Sequence, residues 1–147
     1  MFVAYTNGKD DRKMGRLLEQ TTNCEVIDTG CLTTVAGVTW INNYLESLSD
    51  FEKSTVVEEP SSASYTFGDG KTYHSVKRLK IPCSIGTYSA SIVTDVVSAE
   101  IPLLLSKTAM KKEKMMQDFA SDSLIIRGRH IKLGIASTGH YVVNLYR

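Results

Sequence analysis

The stretch Val26-Ile27-Asp28-Thr29-Gly30-Cys31 decides how the rest of this sequence is interpreted. It begins with two β-branched apolar residues, which favour a strand. Such a strand would place Asp28 at its end, where Thr29 and Gly30 turn the chain. Short tripeptides that contain Asp and Gly are usually simple turns. The tripeptide therefore marks a candidate functional carboxyl group, and its meaning depends on the surrounding sequence.

The composition indicates a single folded domain that spans residues 1–147. Hydrophobic residues make up 42% of the chain and charged residues 22%, which is typical of a globular protein rather than a disordered one. The formal net charge of +1 gives no support to a role in nucleic-acid binding or at a membrane surface. The longest apolar run, residues 101–105, is far shorter than the roughly 20 residues that cross a bilayer.

The cysteines and the first residues predict where the protein resides. Cys24, Cys31 and Cys83 form an odd set without C-x-x-C spacing, which disfavours a disulfide framework or a zinc knuckle. Residues 1–5 lack a basic region followed by a long apolar stretch, so no signal peptide is predicted. We therefore expect reduced thiols, a cytoplasmic location, and neither a metal nor another cofactor.

In the first half of the chain, apolar periodicity predicts short elements of both kinds. Ser49 and Glu52 have the spacing of a capping box, which predicts a turn of helix after them. Residues 58–62 are polar and predict an exposed link. The other expected elements are a strand over residues 1–6, a short helix containing Met14, Leu17 and Leu18, a strand over residues 24–27 and a helix over residues 39–48.

From Ser64 onward the apolar pattern changes to period two, which predicts strands. Residues 64–76 predict a β-hairpin with Gly68-Asp69-Gly70 at its turn. A helix capped by Ser106 is expected to present an apolar stripe of Ala109, Met116 and Phe119. Further strands are expected over residues 79–81, where Pro82 ends the strand, and over residues 88–96, 101–105, 124–126, 130–133 and 141–145. The prediction is a mostly β domain with about three short helices.

The order of these elements resembles the retropepsins, the peptidases of retroviruses and LTR retrotransposons. The resemblance covers most of residues 24–105. It is carried by the active-site strand and loop Val26-Ile27-Asp28-Thr29-Gly30, the flap hairpin over residues 65–72, the two long strands over residues 79–97, and the apolar strand over residues 101–106 with a helix after it. This resemblance implies a retropepsin-like acid protease fold, a single lobe built as a closed β-barrel or sheet with a flap hairpin.

The resemblance also implies an aspartic endopeptidase that cleaves a retroelement polyprotein. Asp28 would be the catalytic residue, and Thr29 and Gly30 would form the active-site loop. This chemistry needs two carboxyl groups that share one proton, so that one acts as general base and the other as general acid. The sequence has one such aspartate and is too short for two lobes, so we expect a homodimer in which Asp28 meets its copy.

The same resemblance assigns substrate binding to the flap residues Phe67, Gly68, Asp69 and Gly70, which would close over an extended polypeptide. We expect the second copy and this polypeptide to be the partners, with no nucleic acid and no membrane among them. The expected location within the cell is the cytoplasm, including virus-like particles.

Two departures from the family pattern leave an alternative open. Ser106 stands where the family usually has Gly, and a special backbone angle is harder for Ser to adopt. Leu32 and Thr33 occupy a stretch where some retroviral enzymes carry another carboxylate that holds the substrate. The alternative is a catalytically silent dimerisation or peptide-binding module with the same fold.

Other chemistry has weaker support in the sequence. His74, His130 and His140 could assist a nucleophile, but the chain lacks a Gly-x-Ser-x-Gly elbow. Cys31 follows the candidate carboxyl group and could be reactive, although a buried inert thiol is the simpler interpretation. The lysines within residues 107–114 are interpreted as the solvated face of a helix rather than as an RNA-binding site.

Overall fold

The computed structural model describes residues 18–28, 30–67 and 70–145. The strand predicted over residues 1–6 lies outside these ranges. Of the first predicted helix, only Leu18 is described, and it is helical. No helix in the described part of the chain is long and apolar enough to span a membrane.

The chain is mostly β, as predicted. Its strands are β1 (Cys24–Asp28), β2 (Val35–Gly37), β3 (Val57–Glu59), β4 (Ser64–Thr66), β5 (Thr72–His74), β6 (Lys77–Ile85), β7 (Tyr88–Val97), β8 (Leu103–Ser106), β9 (Met116–Asp118), β10 (Ser123–Ile126), β11 (Arg129–Lys132), β12 (Gly134–Ile135) and β13 (Tyr141–Asn144). Besides residues 18–20, the described helices are α1 (Val38–Ser47), α2 (Asp50–Ser54) and α3 (Lys107–Lys112). The predicted helix over residues 39–48 is confirmed as α1, and Ser49 and Glu52 form the predicted capping box of α2.

Eight strands form one mixed sheet in the order β12-β13-β1-β8-β2-β7-β6-β3. Strands β11, β10 and β9 form a smaller sheet, and β4 pairs with β5 as a separate hairpin. Closing the large sheet would require β12 to pair with β3, which they do not do. With two and three residues, these end strands are too short for extensive pairing. The described residues form an open sheet, so the prediction of a closed barrel is wrong.

The strand that carries Asp28 lies in the interior of this sheet, with a neighbour on each side. Strand β1 runs parallel to β8 on one side and antiparallel to β13 on the other. The register places Asp28 beside Ser106, and Ser106 is also the N-cap of α3. Two buried strands therefore end side by side, one at a carboxyl group and the other at the start of a helix.

Alternate side chains of β1 point to opposite faces of the sheet and enter two different clusters. Val26 belongs to the smaller cluster, which also contains the hairpin residues Tyr65 and Phe67. Ile27 belongs to the larger cluster, which contains Trp40 of α1. The hairpin of β4 and β5 therefore lies toward one face of the sheet, and α1 packs on the other.

Strand β6 continues through Pro82, so the prediction that this proline ends the strand is wrong. The Pro82 carbonyl accepts a hydrogen bond from Tyr44 Oη at 2.6 Å, on the side of β6 that faces away from β7. The N–H and C=O of one strand residue point to the same side, so the missing N–H removes no bond to β7. On that outer side β3 reaches only Arg78 to Lys80. The proline is tolerated because its backbone lies at an unpaired edge.

Helix α3 ends at Lys112, so the predicted apolar stripe that included Met116 and Phe119 is wrong. Lys114 has a φ of 52°, a left-handed conformation that stops the helix. Met116 then begins β9, which pairs with β10, and Phe119 is exposed.

Glu25 is a buried carboxyl group within β1. Its side chain is 0% exposed, and neither carboxyl oxygen has a hydrogen-bond partner among the described residues. Removal from water raises the pKa of Glu25 to about 8. In the folded chain this group is therefore mostly protonated at neutral pH.

The raised pKa predicts that Glu25→Gln becomes more stable relative to the wild type as the pH rises. The unfolded carboxyl ionises near pH 4.5, whereas the folded one keeps its proton until about pH 8. Below pH 4.5 the folded chain has the full stability that this proton provides. As the pH rises to about 8, the free energy of unfolding of the wild type falls by on the order of a few kcal/mol, and that stabilisation is lost. Urea unfolding near the two ends of this range measures the change.

Glu46→Gln, at an exposed position of α1, is the matched control for the loss of a glutamate carboxyl group. If the difference in unfolding free energy between the wild type and Glu25→Gln is the same at both ends of the range, the folded carboxyl does not hold its proton.

Candidate active site

Asp28 ends β1 as a buried residue, with 5% of its surface exposed. The backbone N–H of Gly30 donates to Asp28 Oδ1 at 3.0 Å, and the N–H of Cys31 donates to the Asp28 carbonyl at 3.1 Å. These bonds fold the chain tightly around the carboxyl group and fix its direction. Thr29 lies outside the described residues, so its role in the loop stays a prediction.

The loop after this carboxyl group is bound to the end of β8 and the start of α3. Thr34 Oγ1 donates to Ser106 Oγ at 3.1 Å, and the Ser106 N–H donates back to Thr34 Oγ1 at 3.2 Å. The Lys107 N–H donates to the Cys31 carbonyl at 3.0 Å. Ser106 Oγ also caps α3 by accepting a hydrogen bond from the Ala109 N–H at 3.1 Å. The loop is thus held by backbone and side-chain bonds to a single neighbouring junction.

Ser106 has a φ of −76° and a ψ of 155°, an extended conformation that any residue adopts. The expected difficulty of placing Ser where the family usually has Gly therefore does not arise. Its hydroxyl both caps α3 and bonds Thr34. The departure at this position supplies contacts that Gly would lack.

Of the side chains considered for other chemistry, Cys31 is buried, His74 and His140 form hydrogen bonds, and His130 is exposed on β11. Cys31 Sγ donates to a backbone carbonyl at 2.8 Å, and burial raises the pKa of Cys31 to about 12. A thiol that keeps its proton reacts poorly, which favours the inert interpretation. His74 Nδ1 lies 2.9 Å from Ser64 Oγ, and His140 Nδ1 lies 2.6 Å from Thr138 Oγ1. Within residues 18–28, 30–67 and 70–145, no three His, Cys, Asp or Glu side chains cluster as a metal site requires.

The predicted hairpin of β4 and β5 is confirmed, and its turn lies between Phe67 and Gly70. Gly70 has a φ of 78°, and its N–H donates to the Phe67 carbonyl at 2.9 Å, which closes the turn. Gly68 and Asp69 lie outside the described residues. The Phe67 side chain is buried, with its ring centre 5.4 Å from that of Tyr73. Phe67 therefore packs beside the turn of the hairpin, against Tyr73, and its contact with substrate stays a prediction.

Asp95 anchors this hairpin to the large sheet, and sequence analysis assigned it no role. It is fully buried in β7 and accepts hydrogen bonds from Tyr65 Oη, from Ser61 Oγ at 2.9 Å and from Arg78 Nε at 2.9 Å. Burial alone would raise the pKa of Asp95, but the bonds from Arg78, Tyr65 and Ser61 outweigh it and hold the pKa below its usual value. The sequence does carry a signal for this role. Asp95 lies between Thr94 and two valines of a predicted strand, where a carboxyl group would need hydrogen-bond donors.

Removing the Tyr65 hydroxyl tests this anchor. Tyr65→Phe leaves the buried Asp95 carboxylate with one donor fewer, so the free energy of unfolding should fall by about 1–3 kcal/mol at neutral pH. Because the pKa of Asp95 is lowered, this stabilisation is present above the ordinary value of 3.8 and is lost as the pH falls below it. Amide hydrogen exchange should become faster in β4 and β5.

The control for this substitution is Tyr88→Phe, at the far end of β7. Unchanged exchange rates in β4 and β5 of Tyr65→Phe would mean that packing alone holds the hairpin.

Thr34→Val tests the support of the loop without changing the shape of the side chain. It removes the acceptor of the buried Ser106 N–H, so the free energy of unfolding should fall by about 1–3 kcal/mol. Thr33→Val is the matched control, since the hydroxyl of Thr33 makes no hydrogen bond among the described residues. Equal losses in the two variants, measured by urea unfolding, would contradict a specific role for the pair of Thr34 and Ser106.

No protein-family profile matches this chain, and no curated protein matches it in sequence. Among solved structures, 18 chains match. One is the retroviral protease-like domain of Ddi1 from Leishmania major, which is 13% identical, with a TM-score of 0.51 over 74% of this chain and 81% of that chain. At this identity the likeness concerns the fold alone. The chain therefore has a retropepsin-like fold, as the order of its sequence elements predicted.

Proposed function

We propose that this protein is an aspartic endopeptidase that acts as a homodimer and hydrolyses peptide bonds in extended polypeptide segments. The observation that carries the proposal is the carboxyl group of Asp28, buried at the end of a central strand and held by the Gly30 N–H at 3.0 Å. A retropepsin-like fold around this group supports the same assignment.

The orientation of β1 supports a flap above the carboxyl group. Strand alternation places Asp28 on the same side of β1 as Val26. Val26 packs in the cluster that contains Tyr65 and Phe67 of the hairpin. The hairpin and the carboxyl group are therefore directed toward the same face of the sheet, which is the arrangement a flap requires. Residues 67–70 are proposed to contact the substrate.

The mechanism needs a second carboxyl group, which a second copy of the chain is proposed to provide. Asp95 is bound to the hairpin, while Asp118 and Asp122 accept hydrogen bonds from serine and tyrosine hydroxyls. Glu25 points to the opposite face of β1. A two-fold symmetric dimer brings together two copies of Asp28 and needs no other acid.

In the proposed mechanism, the paired Asp28 carboxyl groups share one proton because two adjacent carboxylates repel each other. The ionised group takes a proton from water, which attacks the scissile carbonyl carbon. The protonated group donates its proton to the carbonyl oxygen. The group that took the proton from water gives it to the amide nitrogen. The amine leaves as the tetrahedral intermediate collapses, and a hydroxyl of the intermediate returns its proton to the other carboxyl group. Closure of the flap would exclude bulk water and order the substrate.

The proposed substrate is a retroelement polyprotein, cut in the cytoplasm or in virus-like particles. This part of the proposal is supported by the resemblance in element order over residues 24–105. A catalytically silent dimerisation or peptide-binding module is the second candidate. It is favoured by Leu32, which is 59% exposed in the stretch where some retroviral enzymes carry a substrate-holding carboxylate.

Asp28→Asn should lower kcat/KM for peptide cleavage by about 10²-fold to 10⁴-fold, because the amide of Asn neither takes nor donates the required proton. Cleavage of a peptide library by the full chain, followed by mass spectrometry from acidic to neutral pH, measures this loss. Asp50→Asn, at an exposed position of α2, is the matched control and should keep full activity. A statine-type peptide should block the wild type.

Sedimentation of the same samples tests the two-chain mechanism. Peptide binding without turnover at every pH would support the silent module instead. Turnover by a monomeric species would contradict the pairing of Asp28 with its copy.

A further inference from the structure

The first half of β7, residues 88–93, has an unpaired edge. Strand β2 pairs with β7 only from Asp95 to Val97, so residues 88–93 have β6 on one side and no described strand on the other. In the part of the chain that the structure describes, no hydrogen bond reaches the backbone on this outer side of the segment. Residues 88–93 therefore form a free edge within the large sheet.

The register of β6 with β7 shows which backbone groups face the free edge. The two-residue turn over residues 86–87 is flanked by the pair of Ile85 and Tyr88. A hydrogen-bonded pair closes such a turn, and hydrogen-bonded and non-hydrogen-bonded pairs then alternate along the two strands. In the non-hydrogen-bonded pairs, the N–H and C=O groups of the β7 residue point away from β6. The outward residues on the free edge are Ser89, Ser91 and Val93.

Asp95 is the next residue in this alternating series, and it follows the same pattern. Its N–H points away from β6 and donates to the Thr34 carbonyl at 3.0 Å. The series thus begins to find partners only where β2 starts to pair. Each of the three outward residues before it offers one backbone donor and one backbone acceptor.

The free edge lacks the features that usually protect an exposed strand. Natural sheets protect their edges with charged side chains, prolines, bulges or very short strands. The sequence from Ser89 to Val93 is Ser-Ala-Ser-Ile-Val, with neither a charge nor a proline. Its register with β6 is one to one, so no bulge turns the edge aside. Of these five residues only Ile92 is buried, so the edge is accessible.

A cavity of about 410 Å³ lies along the free edge. All of residues 88–93 line it, together with residues from α3, the end of β8 and the end of β10. The volume is within the roughly 300–1,000 Å³ typical of ligand sites. Its apolar lining includes Ala109 and Met115, which are half-buried and can contact a ligand. The free edge is thus one wall of a groove.

Basic side chains lie at both ends of the free edge. Lys80 is opposite Val93 in the register. At the other end, the guanidinium carbon of Arg127 lies 5.7 Å from the centre of the Tyr88 ring. Lys112 of α3 is the third basic residue of the lining, and all three cations are exposed.

The exposed part of the lining has a net positive charge. Glu113 is its acidic residue, so three cations and one anion leave a charge of +2. The contact of Arg127 Nη2 with Glu113 Oε2, at 3.8 Å, is an exposed pair that compensates this charge only weakly. The groove therefore favours an acidic partner. A row of alternating N–H and C=O groups is complementary to another polypeptide backbone rather than to a nucleic acid.

We propose that an extended, acidic segment of a partner polypeptide docks in this groove as an added strand beside β7. Its backbone pairs with the outward groups of Ser89, Ser91 and Val93. Its alternate side chains divide between the apolar lining and the basic residues at the two ends. The site goes beyond the proposed peptidase activity, since neither the candidate catalytic carboxyl group nor the hairpin of β4 and β5 is part of the described lining.

Synthetic peptides test the backbone pairing. The probe is acetyl-Thr-Val-Glu-Val-Glu-Val-Thr-amide, which alternates apolar and polar residues. One analogue is N-methylated at the three valines, and the other at the two glutamates and the last threonine. Because the N–H groups of an added strand face β7 at every second residue, the two analogues should differ in dissociation constant by at least about tenfold. Replacing both glutamates of the probe by glutamine should weaken binding by about threefold to tenfold.

Nuclear magnetic resonance of the full chain measures these affinities and locates the peptide. In the chain without peptide, the amides of Ser89, Ser91 and Val93 should exchange rapidly, whereas those of Ala90 and Ile92, which are bonded to β6, should exchange slowly. Saturation with the probe should slow the three outward amides by at least about tenfold. The two inward amides are the internal control.

Variants of the full chain assign the contacts. Ser91→Pro removes an outward N–H and no bond to β6, as Pro82, its partner in the register, removes none to β7. Its ring also blocks an added strand, so the probe should bind at least about tenfold more weakly, whereas Ser91→Ala should bind as the wild type does. Lys112→Gln should weaken the probe by about twofold to fivefold and leave the glutamine analogue unchanged. Asp28→Asn should not change binding, so failure of the peptidase proposal leaves this test unaffected.

Slow exchange of the three outward amides before peptide is added would overturn the proposal, because the edge would then be covered by the chain itself or by a second copy. Equal affinities of the two N-methylated analogues would do the same. So would chemical-shift changes confined to the loop after Asp28 and to the hairpin of β4 and β5. These comparisons use the wild type, so they decide the question even where Ser91→Pro fails to fold.

Discussion

The parallel pairing of β1 with β8 is the contact on which the candidate site depends. It sets Asp28 beside Ser106, and Ser106 then serves at once as strand end, helix cap and partner of Thr34. The loop that follows the carboxyl group is thereby bonded to the start of α3. A buried polar backbone must be satisfied, and this junction satisfies it with bonds between residues that lie far apart in the sequence. The position of Asp28 is therefore a consequence of sheet register.

The two faces of β1 explain how one strand carries a candidate catalytic carboxyl group and a second buried acid. Alternation directs Asp28 to the hairpin side and Glu25 to the helix side. The buried acids also differ in charge. Asp95 receives three donor side chains and its pKa is lowered, whereas Glu25 receives none among the described residues and its pKa is raised. The number of donors, rather than burial alone, decides which form each acid takes.

Much of the fold could be predicted from local patterns. The helix α1, the capping box at Ser49 and the hairpin turn at Gly70 follow from periodicity, side-chain hydrogen bonding and backbone freedom within a few residues. The predictions were wrong where contacts between residues far apart in the sequence decide whether a segment forms a strand. Pro82 is tolerated because the outer edge of β6 is unpaired there, and residues 57–59 form an edge strand because β6 is available to them. The sheet does not close into a barrel because its short end strands, β12 and β3, do not pair.

By itself the sequence determined that Asp28 would end a strand and enter a tight loop, and that a flap-like hairpin would follow it in the order typical of retropepsins. Only the tertiary structure decided what supports these elements. Thr34 and Ser106 are 72 positions apart, and Tyr65 and Asp95 are 30 positions apart. Periodicity along the chain predicts which face a side chain occupies, but the partner across that face depends on strand register, which no local pattern encodes.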